Sequence, residues 1–241
     1  MNMKIGVDLG GTNIRAGLMD GTELIRKEKV SCPAQGSESE VIEAVAGLIG
    51  KLVSEDVDAI GIGVPSVVDT AKGIVYNVAN IPSWVEVHLK DILEERFDIP
   101  VFINNDSNCF TLGESRFGAG KEYKDMVGVT LGTGVGSGIM IGGHLYEGRN
   151  AGAGEIGCLA YLDKDFESYC STPFFVSHNT SGAGLAARAE AGDAEAIALW
   201  DEFGGHIGEL VKAILFAYDP EAIVFGGGIA NALPLFHVVM E

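Results

Sequence analysis

The sequence predicts an α/β protein built as two similar lobes with a cleft between them, and three observations predict it. Apolar runs of strand length alternate with longer stretches at helical spacing, which implies sheets covered by helices. Glycine-rich turns follow strand-like runs at matching places in the two halves, at Val7-Asp-Leu-Gly-Gly and at Val129-Thr-Leu-Gly-Thr. After each turn the order of elements recurs: a second apolar strand, a helical stretch, then another strand. Two short matches alone would say little, because Gly-rich hairpins are common. The shared order is what makes a duplication the simplest account.

Taken in turn, strands are expected at Met3–Asp8, Arg15–Met19 and Glu23–Val30, a meander broken at Gly10-Gly11-Thr12 and Asp20-Gly21. Ser39–Val53 places Val41, Ile42, Val45, Leu48, Ile49 and Leu52 on one helical face, with Ser37 or Ser39 as N-cap. A buried-type strand at Ala59–Val64 stops at Pro65. Val87–Phe97 reads as a helix ending before Asp98-Ile99-Pro100, and Val101–Asn104 as a short strand. The second half offers strands at Val127–Leu131 and Ser137–Ile141, a long helix at Ala194–Tyr218 and a strand at Ala222–Phe225. Asn231 opens what reads as a further helix, and the second copy is expected to be incomplete at its C-terminal end. The two lobes are expected to span residues 1–115 and 116–241.

Composition narrows the function classes. The 241 residues carry 16 Lys and Arg against 34 Asp and Glu, a formal charge of −18, which argues against nucleic-acid binding because phosphate neutralisation takes clustered cations. A 47% hydrophobic share is enough for a buried core, and 34 glycines imply many tight turns or close backbone approaches. Cys32, Cys109, Cys158 and Cys170 include no C-x-x-C pair, which reads as a reduced protein without a zinc knuckle. The strand that starts at Met3 leaves no room for a signal peptide, and no apolar run approaches the roughly 18 residues of a membrane helix. A soluble cytoplasmic protein is expected, with neither membrane nor nucleic acid as partner.

The chemistry concentrates in Gly-rich turns. In Asp8-Leu-Gly-Gly-Thr-Asn-Ile-Arg-Ala-Gly-Leu18, a carboxylate at a strand end is followed by Gly10, Gly11 and Thr12. Such a turn lets backbone N–H groups approach a polyphosphate while the carboxylate faces its metal ion. It is not a Walker A loop, since no Gly-Lys-Ser/Thr follows, and a plain hairpin turn is the competing reading. Leu131-Gly-Thr-Gly-Val-Gly-Ser-Gly138 is a second such turn. Phe225-Gly-Gly-Gly-Ile-Ala230, after a strand and before a helix, is a third and suits a nucleotide's base and ribose. Three together favour phosphate binding over turns alone. Ile103-Asn-Asn-Asp-Ser-Asn-Cys109 lies where a strand passes into a helix. By itself it reads as an N-cap supplied by Asp106 or Ser107; alternatively Asp106 is a general base for an attacking hydroxyl.

These segments, with Gly63-Val-Pro-Ser66, Asp69, Asn80-Ile-Pro-Ser-Trp84, Asn104–Glu114 and Ala153-Gly-Glu-Ile-Gly157, occur in an order that resembles the ROK family of sugar kinases and related repressors. The resemblance covers essentially the whole chain and implies an actin-like (ribonuclease H-like) fold of two duplicated lobes with an interlobe cleft. It implies that Asp8 assists Mg-ATP as the Mg2+ ligand, that Gly10, Gly11 and Thr12 form a first phosphate loop, and that Gly132, Thr133 and Gly134 form a second. Gly227 and Gly228 would complete the ATP site. Asn80, Asn105 and Glu155 would bind the sugar, with Asp106 as both sugar ligand and catalytic base. It also implies a homodimer formed through the second lobe, for which the apolar positions of Ala194–Tyr218 could supply surface, although a long amphipathic helix often serves only as core.

Departures from the family pattern are specific. Members usually continue Gly-Glu-x-Gly with a His that binds sugar and zinc, then a Cys-rich zinc loop. Here Cys158 stands in that place, and only Cys158 through Phe166 separate Gly157 from Glu167, while Phe166-Glu-Ser-Tyr-Cys-Ser171 still matches the segment on the far side of that loop. Cys158 and Cys170 are too few for a tetrahedral site, so no structural zinc is expected. Glu167 is expected to reach the sugar. His88, His144, His178, His206 and His237 lack metal-ligand spacing and read as surface or core residues, with His144 a candidate for the cleft. Trp84 reads as a core plug or a neighbour of the sugar. The function expected is ATP-dependent phosphorylation of a hexose, glucose or an N-acetylated or related hexose, at its 6-hydroxyl with Asp106 as base. A sugar-sensing regulator and an inactive sugar-binding module are the alternatives; the first would need a basic recognition helix that this sequence does not show.

Overall fold

The structure, a computed structural model, describes residues 3–240. It divides into two compact units, one reaching to Cys109 and taking in Gly148–Gly152, the other comprising Phe110–Glu147 and the chain from Ala153 onward.

In the first unit β1 (Met3–Leu9), β2 (Asn13–Asp20) and β3 (Glu23–Ser31) form an antiparallel meander. Then come α1 (Glu38–Gly50), β4 (Val57–Val64), the short strands β5 (Val67–Asp69), β6 (Ile74–Tyr76) and β7 (Glu86–Val87), α2 (Leu89–Phe97), β8 (Val101–Asn105) and the start of α3 (Asp106–Phe117). The main sheet has the order β3-β2-β1-β4-β8, with β1, β4 and β8 parallel. Alternation along β1 turns Ile5, Val7 and Leu9 into the core, where they join Ile60 and Ile62 of β4 and Val41, Val45, Leu48 and Ile49 of α1. Helix α1 starts at a capping box: Ser37 Oγ accepts from Glu40 N at 3.3 Å while Glu40 Oε2 accepts from Ser37 N at 2.7 Å. Ser37→Ala should cost about 1 kcal/mol, read from the denaturant midpoint.

Two local features differ from expectation. Residues 67–87 form a second, three-stranded sheet, β5-β6-β7, whose strands are too short to show a period of two in the sequence. Helix α2 begins at Leu89 rather than Val87 because Glu86 and Val87 pair with β6. Trp84 is fully buried in this unit's core and donates Nε1–H to Glu38 O at 3.4 Å, so it plugs the core and does not face a sugar.

The second unit repeats the meander with β9 (Met126–Leu131), β10 (Val135–Ile141) and β11 (His144–Leu145). A hairpin of β12 (Ala160–Tyr161) and β13 (Lys164–Asp165) leads into α4 (Phe166–Cys170), α5 (Thr172–Ser177), α6 (Gly182–Glu190) and α7 (Ala194–Tyr218). Strand β14 (Ala222–Gly226) then joins β9 in parallel. The sheet order β11-β10-β9-β14 reproduces β3-β2-β1-β4 with the same strand senses, so the repeat is one of topology. Its core is aromatic: Phe174, Phe175, Trp200, Phe203 and Phe236 are buried together, with Trp200 stacked on Phe236 at 5.7 Å between centroids. In place of a helix opening at Asn231 there is a 3-10 helix, Ile229–Leu235, followed by α8 (His237–Met240). Pro234 lies inside it, where the missing N–H and the ring disfavour an α-helix running on from Ile229.

Candidate functional site

In the first unit the parallel strands bring the motif residues to one sheet end. Asp8 of β1 pairs in register with Gly63 of β4, Gly63 with Asn104 of β8, and Val64 with Asn105. The carboxyl ends of parallel strands are where α/β sheets characteristically bind ligands. Helix α3 starts directly after Asn105, and Asn105 caps it alongside Asp106. Asn105 Oδ1 accepts from Ser107 N at 2.9 Å and from Asn108 N at 3.2 Å, while its Nδ2 donates to Ser66 O at 3.3 Å. Asp106 is the first helical residue, and its Oδ1 shares the Ser107 N–H with Asn105.

The Asp106 carboxylate is partly buried and accepts from Ser107 N at 2.8 Å. Burial raises its pKa above the ordinary carboxylate value; the charge of Asp8 adds to the rise, and the bonds from Ser107 offset part of it. Beside it the Cys109 thiol is pushed up to about 11, by burial first and then by Asp106 and Asp8, so it is neutral and inert at physiological pH. Asp8 is half-exposed and its Oδ2 lies 2.9 Å from Arg15 Nη1, its register partner on β2. In the turn between these strands Gly10 N donates to Asn13 O at 3.0 Å. Gly11 is obligatory, because a Cβ there would stand 2.7 Å from Asn80 Cβ. Asn80 thus packs against the first glycine turn.

In the second unit the Gly132-Thr133-Gly134 turn is clamped from the α4–α5 junction. Gly132 O accepts from Thr172 N at 3.0 Å and Thr172 Oγ1 at 2.8 Å, and Thr133 O from Ser171 Oγ at 3.4 Å. Glu167 Oε2 accepts from Val135 N at 3.2 Å and occupies the space a side chain on Gly134 would need. Gly132 and Thr133 share with Gly228, Ile229 and Asn231 a cavity of about 640 Å³, a volume in the range of small-ligand sites. Gly227 sits at φ +86° against the carbonyl of Leu131, a place no other residue fits. Gly227→Ala should cost about 1–3 kcal/mol and weaken binding in the cavity, checked by thermal unfolding with and without ATP.

Glu155 precedes a 3-10 turn, Ile156–Cys158, and its Oε2 lies 4.0 Å from Cys158 Sγ. Burial raises the Cys158 thiol, and the carboxylates of Glu155, Glu167 and Asp165 raise it further. Glu155 therefore lies beside this thiol, with Glu167 and Asp165 near enough for their charges to act on it. His206 bonds Tyr161 Oη at 3.0 Å, His178 bonds Phe174 O at 2.9 Å, and His144 is exposed on β11. Among the described residues no group of three or more His, Cys, Asp or Glu is placed to hold a metal ion, and none of their helices is long and apolar enough to cross a membrane. Mg2+ needs no such cage: one or two carboxylates plus phosphate oxygens and water suffice, and the half-exposed Asp8 fits that donor set. Sequence reasoning did not single out Arg15, Ser171 and Thr172, nor Glu190 and Trp200, which also line the cavity. Arg15 and Ser171 carried a signal, since each lies within a matched segment.

Comparison with known proteins gives a consistent picture. The sequence matches the ROK family over residues 4–241. A glucokinase of Halalkalibacterium halodurans is 31% identical, over 95% of this chain and 81% of its own. An N-acetyl-D-glucosamine kinase of Salmonella heidelberg is 30% identical, over 95% of this chain and 85% of its own. A solved ROK family glucokinase from Streptomyces griseus, in complex with glucose and AMPPNP, superposes with a TM-score of 0.84 at 29% identity, covering 99% of this chain and 87% of that one.

Proposed function

Because this chain belongs to the ROK family and has its actin-like fold, we propose that it is an ATP-dependent kinase that phosphorylates a hexose, glucose or an N-acetylated or related hexose, at the 6-hydroxyl. The observation that carries this reading is the Asp106 carboxylate: raised in proton affinity by burial, adjacent to Asp8, and holding only the Ser107 N–H of the helix start while Asn105 takes that of Asn108. Glucose and AMPPNP in the Streptomyces griseus structure support the choice of substrates.

In this reading Asp106 takes the proton of the 6-hydroxyl as that oxygen attacks the terminal phosphorus of ATP, and ADP leaves with the electrons of the broken P–O bond. The raised proton affinity makes Asp106 a stronger base than an exposed aspartate. Asn80 and Asn105 orient the sugar through their amide groups, Asn105 with the amide hydrogen not donated to Ser66 O, while Glu155 and Glu167 accept from sugar hydroxyls. Gly10, Gly11 and Thr12 present backbone donors to phosphate, as do Gly132, Thr133 and Gly134; Gly227 and Gly228 border the nucleoside. Mg2+ held by Asp8, when bound, neutralises charge on the phosphates. The homodimer contact is assigned to α7, which leaves Phe216 91% exposed and Leu215 45% exposed; light scattering that returns a monomer mass would remove it.

The direct experiment is a coupled ADP-release assay over glucose, N-acetylglucosamine, N-acetylmannosamine and mannose. Sugar-dependent ADP formation with at least one is expected. Sugar binding by calorimetry with no ADP from any of them would make the protein a sugar-binding module instead.

A further inference from the structure

The cavity in the second unit has one ionisable side chain in its lining, Glu190, the last residue of α6. The rest is small or apolar apart from Thr133, Thr172 and Asn231. Glu190 is exposed and makes no hydrogen bond or ion pair among the described residues, unlike Asn231, whose Nδ2 donates to Gly228 O at 3.2 Å. A carboxylate can only accept hydrogen bonds, and it repels phosphate. At a site that takes a nucleoside triphosphate it is therefore costly near the phosphates and useful only against hydroxyl or amine donors.

We propose that Glu190 is a specificity-determining residue that accepts hydrogen bonds from the nucleoside portion of the phosphoryl donor, orienting the triphosphate toward the Gly132–Thr133 turn. This deepens the kinase reading and rests on it. Two groups on ATP supply the required donors, the ribose hydroxyls and the exocyclic amine of the base. The walls around Glu190 agree with a nucleoside rather than a phosphate neighbour: Ala183 and Ala186 on α6, and Ile229 and Leu235 of the 3-10 helix, are apolar and leave a planar base room to pack. Trp200, which also lines the cavity, is almost completely buried in the aromatic core, so the wall beneath is rigid.

The test is calorimetric titration of ATP, 2′-deoxy-ATP and purine riboside triphosphate, each with Mg2+ and without sugar, into the wild-type chain and Glu190→Ala. Glu190 is exposed at a helix end, so the substitution should leave folding intact, which the thermal transition checks. The wild type is expected to favour ATP over at least one analogue by about tenfold or more, the magnitude of a lost hydrogen bond to a charged group. In Glu190→Ala that preference should collapse to near unity. Loss against the deoxy analogue assigns the hydroxyl, and loss against the analogue without an amine assigns the base; both support the inference. A wild type that binds ATP yet shows the same ratios as Glu190→Ala overturns it and leaves the kinase reading standing. A wild type that does not bind ATP at all overturns the donor assignment first, and this inference with it.

Discussion

Asp106→Asn is expected to lower turnover by about 10²–10⁴-fold, the usual contribution of a positioned general base, while sugar affinity measured by calorimetry changes little. Asparagine fills the same space and can still accept from Ser107 N, but it cannot take a proton. A variant with near wild-type kcat would remove Asp106 from the mechanism. A companion effect on stability has the opposite sign. Burial and Asp8 raise the folded-state pKa of Asp106, so the folded chain holds this proton to higher pH than the unfolded chain does. Stability is therefore lost as pH rises from the ordinary carboxylate value, about 3.9, through the folded value, and the penalty is complete above it. Asp106→Asn escapes that penalty and should melt at or above the wild-type temperature at neutral pH, with the gap closing on acidification. The acid limb of kcat/KM in the wild type should correspondingly lie above the range of an exposed aspartate. An inactive variant that also melts much lower would point to a structural lesion instead.

Trp200→Ala should be the most destabilising single change in the second unit, by about 3–5 kcal/mol, the range for emptying a buried aromatic site. The indole is 1% exposed and contacts Phe175, Phe203 and Phe236, with ring centroids 5.2, 5.5 and 5.7 Å away. It also borders the 640 Å³ cavity, so its removal enlarges that space and should weaken ATP as well. Denaturant unfolding reads the first effect and nucleotide titration the second. A loss below about 1 kcal/mol would mean that the aromatic cluster repacks freely, contrary to the dense contacts seen.

Long periodic segments were readable in the sequence and short ones were not. Helix α7, with its 25 residues, the strands of the first meander, and β9 and β10 of the second follow from apolar spacing, because several turns or alternations average out local exceptions. Strands of two or three residues such as β7 and β12, and helices of five or six such as α4 and α5, carry no period to detect. Their placement comes from pairing and packing. The candidate site divides in the same way. Asp8, Gly11, Asn105 and Asp106 are legible because turn chemistry and the family motif coincide there. The α3 cap was legible only in part: Asp106 accepts from Ser107 N as its position suggested, but Asn105, which also accepts from Ser107 N and alone from Asn108 N, was not singled out as a cap, because an Asn, an Asp and a Ser in sequence all can cap. Thr172, Glu190 and Trp200 reach the cavity from separate helices, a convergence that belongs to tertiary structure and leaves no local mark.

Asn105 holds α3 with its oxygen and reaches Ser66 with its nitrogen, which, on the sugar site proposed above, restricts how substrate preference can be redesigned. Aspartate at that position would keep the cap but lose the amide donor; serine would cap with a side chain too short to span to Ser66; glutamine would have the right groups at the wrong reach. On that same reading, libraries seeking new substrates should leave position 105 untouched and vary Asn80 or Glu155, since neither side chain caps a helix.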